Sequence, residues 1–335
     1  MNSMKGKRIT IIGGAGFIGH NMGRIYHELG ANVTIIDGLQ VNNILNFSSS
    51  ESNGENIENY RKILYERINL IHASKIELKI VDARDYHALS RALTESEPEV
   101  IVHLAAVSHA NKSNRDPHST FDHSLRTLEN ALDYSRYQNV KHFIYFSSSM
   151  VYGDFKEGKV DEQSECNPKG IYGALKFAGE KMIIAYNQVF DLPYTIVRPS
   201  ALYGERCVSR RVGQIFIENA LNKIDISVNG DGNDRLDFTY INDLVEGVRC
   251  IICNAKSQNE IFNITYGESR SISDLADIVK SHFPEIVVNY LPKDNLTPDR
   301  GTLIVDKAKS LIGYEPKFPL DIGFNQYIDW YKKFW

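Results

Sequence analysis

Along the first 200 positions, apolar residues fall into short unbroken runs that alternate with longer stretches where they recur every three or four places. Ile9-Thr10-Ile11-Ile12 is the first run, and 32–36, 76–81, 100–104, 142–146 and 194–197 continue the series. Helical periodicity fills 17–29, 86–93, 117–137 and 170–190. Buried strands alternating with amphipathic helices predict parallel βαβ units, and hence an α/β fold built on a doubly wound parallel sheet. One connection breaks the rhythm. Residues 38–75 are polar through Ser48-Ser49-Ser50-Glu51-Ser52-Asn53-Gly54 and turn helix-like over 58–71. So long a connection is either functional or surface decoration, which predicts an exposed loop plus an extra helix that is a lid or an ornament.

Beyond Arg198-Pro199 the pattern changes. Arg206, Arg210, Arg211 and Arg235 gather around a helical stretch near 213–222, followed by a strand-like 237–240, a helix over 242–253 and a strand over 260–265. The remainder reads as mostly helical, with 271–283, 306–311 and 322–334 as its helices. The expected division is a nucleotide-binding domain over 5–200 and 236–266, and a smaller mixed α/β C-terminal lobe over 201–235 and 267–335.

Composition narrows the function classes. With 42% hydrophobic and 24% charged residues in 335, the chain is expected to fold around a sizeable core. A net charge of -4 gives no electrostatic ground for a nucleic-acid or membrane partner, although backbone amides and a few arginines can still bind a phosphate. Residues 1–8 are short and basic without the features of a secretory signal, and no apolar stretch approaches the roughly 20 residues needed to span a bilayer. Of the four cysteines only Cys250 and Cys253 are close, and they sit in an apolar helical run. They read as small buried hydrophobes rather than zinc ligands or a redox pair, and a reducing cytoplasm is the expected location.

Gly13-Gly14-Ala15-Gly16-Phe17-Ile18-Gly19 lies between the first strand and the first helix. Glycines there serve a tight turn, backbone approach to a pyrophosphate and close helix–strand packing, and the helix start offers free amides. The spacing departs slightly from GxGxxG, so its position carries the argument. Asp37 ends the second strand, where a carboxylate accepts bonds from the adenosine ribose; a 2′-phosphate would meet its negative charge with no obvious arginine nearby. NAD is therefore expected over NADP. Asp82, after the third strand, is placed for the adenine amino group, and Leu104-Ala105-Ala106, after His103, offer small residues along the cofactor's path.

Tyr172 and Lys176 stand four apart and share a face if helical. A free phenol is a poor base at neutral pH; a neighbouring ammonium and an oxidised nicotinamide would make its anion accessible. Tyr137–Lys141 and Tyr152–Lys156 share the spacing, but the former straddles a helix end and the latter flanks Gly153 in a loop. Only Tyr172 opens a well-formed helix after a serine cluster at a strand end, Ser147-Ser148-Ser149.

These motifs, with Val151-Tyr152-Gly153, Arg198-Pro199…Tyr203-Gly204 and Asp231-Gly232…Arg235 to Asp243, resemble the extended short-chain dehydrogenase/reductases, specifically the nucleotide-sugar epimerase/dehydratase family, from Arg8 to about Pro319. The resemblance implies a Rossmann-type NAD domain and a C-terminal substrate lobe for a nucleotide sugar. It also implies oxidation at C4 to a 4-keto intermediate, and a homodimer built on the helices of 117–137 and 170–190. It implies Ser148, Tyr172 and Lys176 as catalytic residues. The cofactor contacts implied are Gly13, Gly16, Phe17, Ile18, Gly19, Asp37, Asp82, Ala83, Leu104, Ala105 and Ala106, with Tyr172 and Lys176. Ser108, Ser149, Arg235 and Arg300 are the implied substrate contacts, with Arg235 on the nucleotide phosphates or ribose.

Three departures bear on the reaction. The 4,6-dehydratases carry Asp-Glu directly after the catalytic threonine; here Ser149 and Met150 stand there, and methionine transfers no proton. His123 and Ala201 replace residues that are Asn in many relatives, and Arg300-Gly301-Thr302 sits closer to Asp306 than in typical galactose epimerases. The leading expectation is C4 epimerisation of a UDP-hexose. A bound-NAD decarboxylase or C2-epimerase comes next, then a 4-ketosugar reductase, which Asp37 disfavours. A catalytically inactive NAD sensor is the alternative from another class.

Overall fold

The computed structural model describes residues 3–47, 56–107, 110–138, 140–292 and 298–335. Seven strands make the central sheet: β1 (Arg8–Ile12), β2 (Asn32–Asp37), β3 (Glu77–Ile80), β4 (Val100–His103), β5 (His142–Phe146), β6 (Tyr194–Arg198) and β7 (Glu260–Asn263). Their order is β7-β6-β5-β4-β1-β2-β3, and every neighbouring pair is parallel. Strand order reverses between β1 and β4, and ligands bind beyond the carboxyl ends at such a switch point.

Side chains along these strands point alternately to opposite faces. Ile9, Ile11, Val33, Ile35, Val100, Val102, Ile144 and Phe146 enter one apolar cluster. Ile12, Ile36, Ile101, Phe143, Tyr145 and Ile196 enter another on the opposite face. Both faces are covered except at the edge strand β3, which is why the other strands read as nearly continuous apolar runs. Helix α1 (Phe17–Glu28) brings Met22 and Tyr26 to the first cluster, and α2 (Ile57–Ala73) brings Ile71. Helix α3 (Tyr86–Ser96), α4 (Thr127–Tyr137) and α5 (Gly170–Phe190) bring Leu89, Leu128 and Ile183 to the second. Each such fully buried aliphatic side chain contributes about 1.5–3 kcal/mol.

The first cluster continues past the sheet. Phe216 and Ile217 of α6 (Val212–Leu221), Val248 of α7 (Ile241–Cys253), Leu275 of α8 (Ile272–His282) and Phe324 of α9 (Leu320–Phe334) belong to it. The smaller lobe and the sheet therefore share a core.

Three expected elements differ. The helix predicted over 117–137 starts as Pro117–Phe121, capped by the Asp116 carboxylate, then widens into a π turn over Asp122–Arg126 before α4. Such turns accommodate an extra residue and recur at functional sites; this one carries His123 to the ligand cavity. The strand predicted over 237–240 is two short pieces, Arg235–Leu236 and Thr239–Tyr240, with the Asp237 carboxylate buried between them. The end of the chain also contains strand: Val288–Leu291 pairs in parallel with Ile226–Asn229, and Thr302–Leu303 with Lys159–Val160. These pairings are short and largely exposed on the Val288–Leu291 side, so no clean apolar run marks them.

Candidate active site

Beyond the carboxyl ends of β1, β2 and β4 lies a cavity lined by Gly13, Gly16, Phe17, Ile18, Gly19, Asp37, Asp82, Ala83, Leu104, Ala105 and Ala106, with His123, Arg67 and Arg211. The turn at Gly13 has φ 79, and a Cβ there would meet the Ala105 nitrogen at 2.7 Å. Only glycine lets the two strand-end loops close on each other. Gly16 differs: the Gly13 carbonyl oxygen, at 3.3 Å, is the one atom close to a Cβ there. The side chain it lacks would take space from the cavity. No side chain caps α1 and no acid sits in its first turn, so its N-terminal amides are left for a diphosphate.

Asp37 accepts from the amides of Ala15 (2.9 Å) and Leu39 (2.7 Å). Burial pushes its pKa up, and those two amides pull it back down. Asp82 is gripped by Arg84 and Gln40; the Arg84 hydrogen bond above all holds its carboxyl well below the usual range. Together these groups fit a dinucleotide: a phosphate cradle at Gly13 to Gly19, a ribose acceptor at Asp37 and a polar rim at Asp82.

Two contributors escaped the sequence reading. The polar connection is no mere ornament, because Val41, Asn42 and Arg67 line this cavity. Asn43 is buried and donates to the Ala15 carbonyl at 3.2 Å. Arg67, 1% exposed, donates to the carbonyls of Arg206 and, at 3.4 Å, of Asn42, and its charge also acts on Asp37. An arginine thus does stand near Asp37, thirty residues on in sequence. The signal was a lone cation on the apolar face of α2, beside Ile63, Leu64 and Ile71.

A second cavity adjoins the first. Ser148, Ser149, Met150, Tyr172, Lys176, Ser200, Arg211 and Arg300 are among its lining residues. Tyr172 sits in the first turn of α5, which starts at Gly170, and Lys176 follows one turn later on the same face. The Lys176 ammonium is buried and donates to the Phe146 carbonyl at 2.6 Å; burial pulls its pKa down to about 7, with Glu180 opposing. Ser148 lies two residues beyond β5 and caps the short helical turn Ser149–Val151, its hydroxyl accepting from the Met150 amide at 3.2 Å. Behind them runs a buried network. Ser147 donates to Glu180 at 2.5 Å, Glu180 pairs with Arg198 at 2.7 Å, and Arg198 donates to Tyr152, which donates to Asn263. The other tyrosine–lysine pairs have different surroundings. Tyr137 is exposed, while Tyr152 is enclosed in this network and Lys156 reaches out to Glu165.

A third cavity, toward the smaller lobe, is lined by Leu202, Tyr203, Arg210, Arg211, Gln214, Phe238, Arg300 and Phe324, among others. Arg300 reaches the second cavity too, donating to Ser149 at 2.5 Å and Ser200 at 3.1 Å. Arg235 is not brought here: it is exposed and donates to the Ser269 carbonyl and hydroxyl. Its antiparallel pairing with Ser271 turns it to that neighbour. Ser108 lies outside the described residues. Among the described residues no helix is long and apolar enough to cross a membrane, and no group of His, Cys, Asp and Glu is arranged to hold a metal ion.

A parallel sheet with a dinucleotide cradle at its switch point, opening onto a serine, tyrosine and lysine, defines an oxidoreductive enzyme class that works through a bound nicotinamide. Residues 9–265 match the family model of the NAD dependent epimerase/dehydratase family, and the chain belongs to that family. It is an NAD-dependent enzyme of the extended short-chain dehydrogenase/reductase type. A putative UDP-glucose 4-epimerase of Methanocaldococcus jannaschii is 30% identical over 97% of this chain and 98% of its own. The fold matches the UDP-glucose 4-epimerase of Thermotoga maritima, solved with UDP-glucose, with a TM-score of 0.84, 25% identity and coverage of 97% and 98%. It also matches the UDP-glucuronic acid 4-epimerase of Bacillus cereus, solved with its sugar nucleotide and NAD, with a TM-score of 0.85, 24% identity and coverage of 98% and 99%.

Proposed function

We propose that this enzyme inverts C4 of a nucleotide-linked hexose, with a UDP-sugar as substrate. The observation that carries the reading is the convergence of Ser148, Tyr172 and Lys176 on one cavity that adjoins the dinucleotide cradle. Bound NAD supplies a hydride acceptor that later serves as donor. Tyr172 takes the proton from the C4 hydroxyl, and Ser148 holds that oxygen through a hydrogen bond. Lys176, one turn along the same helix face and lining the same cavity, would hold the cofactor's ribose and bring a positive charge to the site. Tyr172 would hand the proton back to the C4 oxygen once the hydride has returned to the other face of the rotated 4-ketosugar, which gives the epimer. Dehydration is disfavoured because no Asp or Glu is among the described residues lining the catalytic cavity, and Met150 occupies the second acid/base position.

The supporting set for the cofactor is Gly13, Gly16, Phe17, Ile18, Gly19, Asp37, Asp82, Ala83, Leu104, Ala105 and Ala106, and for the substrate Ser149 and Arg300. We assign residues 5–200 and 236–266 to cofactor binding and the rest to the substrate lobe. Two copies are proposed to pair through α4 and α5, whose outer faces leave Tyr137, Val189 and Phe190 exposed.

The test is incubation with UDP-, dTDP-, GDP- and CDP-sugars without added cofactor, followed by NMR of the anomeric protons. A 4-epimer formed at catalytic turnover, with nicotinamide co-purifying, is the expected result. Stoichiometric NADPH consumption, or nicotinamide binding with no sugar converted, overturns it.

A further inference from the structure

Residues 206–211, directly ahead of α6, wall both halves of the site without being helix or strand. Val208, Ser209 and Arg211 line the cofactor cavity, Cys207, Arg210 and Arg211 line the third cavity, and Arg211 reaches the second as well. Two residues of this segment are bent into the left-handed region, Arg206 with φ 66 and Arg210 with φ 49. Side chains other than glycine hold that conformation at a cost, and only where their surroundings impose it.

Here α2 imposes it. The Arg67 guanidinium donates to the Arg206 carbonyl through Nη2 and, at 2.9 Å, through Nε, while Glu66 accepts from the Arg206 side chain at 2.9 Å. Val208 packs into a small apolar cluster with Tyr60, Ile63 and Leu64. The far end of the segment is reached through a relay. The Arg210 amide donates to the Gln214 side chain at 2.8 Å, Gln214 donates to Glu218, and the Tyr60 hydroxyl donates to that same carboxylate. One helix of the long polar connection thus clamps the segment at both ends.

Arg67 also faces the other way. Its Nη1 donates to the Asn42 carbonyl at 3.4 Å, Val41 and Asn42 line the cofactor cavity, and its charge pulls the Asp37 pKa down. An apolar side chain would fill this buried position without desolvating a charge, whereas a branched donor can tie carbonyls from two separate loops. We infer that Arg67 is a positioning residue that ties the cofactor-side turn at 41–42 to the segment 206–211, so that bound NAD fixes Arg210 and Arg211 for a nucleoside diphosphate in the adjoining cavity. The two ligands then bind cooperatively, each raising the affinity for the other by the same factor. Their charges alone would do the reverse, because both are anions. For its second ligand the inference rests on the proposed nucleotide-sugar reading.

The test uses the NAD-loaded protein in two arms. In the first, release of bound NAD is timed by exchange with excess labelled NAD, alone and with saturating UDP, dTDP, GDP or CDP. A nucleotide that calorimetry shows to bind should slow release about tenfold in the wild type and less than about threefold in Arg67→Lys, which keeps the charge and loses the fork. Glu66→Gln, a milder cut at Arg206, should fall between them. In the second arm, amide hydrogen exchange over 206–211 should quicken about tenfold in Arg67→Lys and severalfold in Glu66→Gln. Leu93→Ala, in the cluster on the opposite face of the sheet, should lower Tm and move neither readout, which separates positioning from general loosening. If Arg67→Lys fails to fold, Glu66→Gln carries both arms. Slowing that survives intact in the variants overturns the inference, because a ligand that merely obstructs the exit needs no Arg67. No slowing in the wild type by a nucleotide that binds, or unchanged exchange over 206–211, overturns it too. If none of the four nucleotides binds, the nucleotide-sugar reading fails, and the exchange arm alone decides whether Arg67 holds the segment.

Discussion

The cofactor cavity and the substrate cavities meet at Arg211, yet they are built by opposite means. The cofactor side is backbone: a glycine turn, an uncapped helix start and strand ends held by neighbouring strands. Most of its lining comes from the turns directly after β1, β2, β3 and β4, so each contribution is marked by its own local strand end. The substrate side is made of long cations delivered by separate segments, Arg210 and Arg211 before α6 and Arg300 near the end of the chain. Nothing local fixes where those guanidiniums land. The lesson is that general cofactor binding is written in backbone-permissive residues, whereas substrate choice is written in side chains whose meeting is decided by the tertiary fold.

The contrast can be broken most severely at the buried network behind the second cavity. Glu180→Ala leaves Arg198 buried without its carboxylate and should cost about 3–5 kcal/mol in urea unfolding, with both binding functions weakened. A loss below 1 kcal/mol would show that the network is not structural. Tyr172→Phe should keep nicotinamide bound and lower kcat by roughly 10²–10⁴-fold; epimerisation at the wild-type rate would remove the proton acceptor from the mechanism. Gly16→Val is the sharper cut on the cofactor side alone. A Cβ there meets the Gly13 carbonyl oxygen at 3.3 Å, so the turn must give by a few tenths of an ångström; Tm should fall slightly while co-purifying nicotinamide falls at least tenfold, measured by absorbance of the extract.

Lys176 gives a smaller, pH-dependent effect. Burial lowers its folded pKa to about 7 from 10.5, so between those values the unfolded chain binds the extra proton and the cofactor-free protein gains stability as pH rises. The gain is on the order of 1 kcal/mol per pH unit within that window. Lys176→Met should lack it, which paired urea titrations at pH 7 and 9 would reveal. Smallest of all, Lys156→Ala breaks only the exposed pair with Glu165 and should change stability by less than about 0.5 kcal/mol.

Much of the fold was legible. The apolar runs marked the strands of the sheet because both its faces are covered, and the alternation with helices fixed their parallel sense. What stayed hidden was decided by distant contacts. Val288–Leu291 becomes a strand only because Ile226–Asn229 is beside it, and Arg235 turns to Ser269 because of a two-residue antiparallel pairing. Arg67 was legible only as a lone cation on an apolar helix face. Its sequence neighbours describe an ordinary amphipathic helix, and only the fold brings the Arg206 and Asn42 carbonyls to its guanidinium. Ala201, read from sequence only as a departure from Asn, has φ 36, a left-handed conformation that asparagine tolerates better than alanine.

One residue in the glycine turn is held from two directions: the Ala15 amide by Asp37 and the Ala15 carbonyl by Asn43. Both anchors belong to the polypeptide itself, so the turn is already shaped when no ligand is bound. The entropy of ordering it is thus spent during folding rather than at each encounter, leaving more of the contact energy to hold the coenzyme. An enzyme of the proposed kind, which would reuse one nicotinamide through both halves of a turnover, gains from that arrangement, because preorganisation slows escape without adding a single new contact.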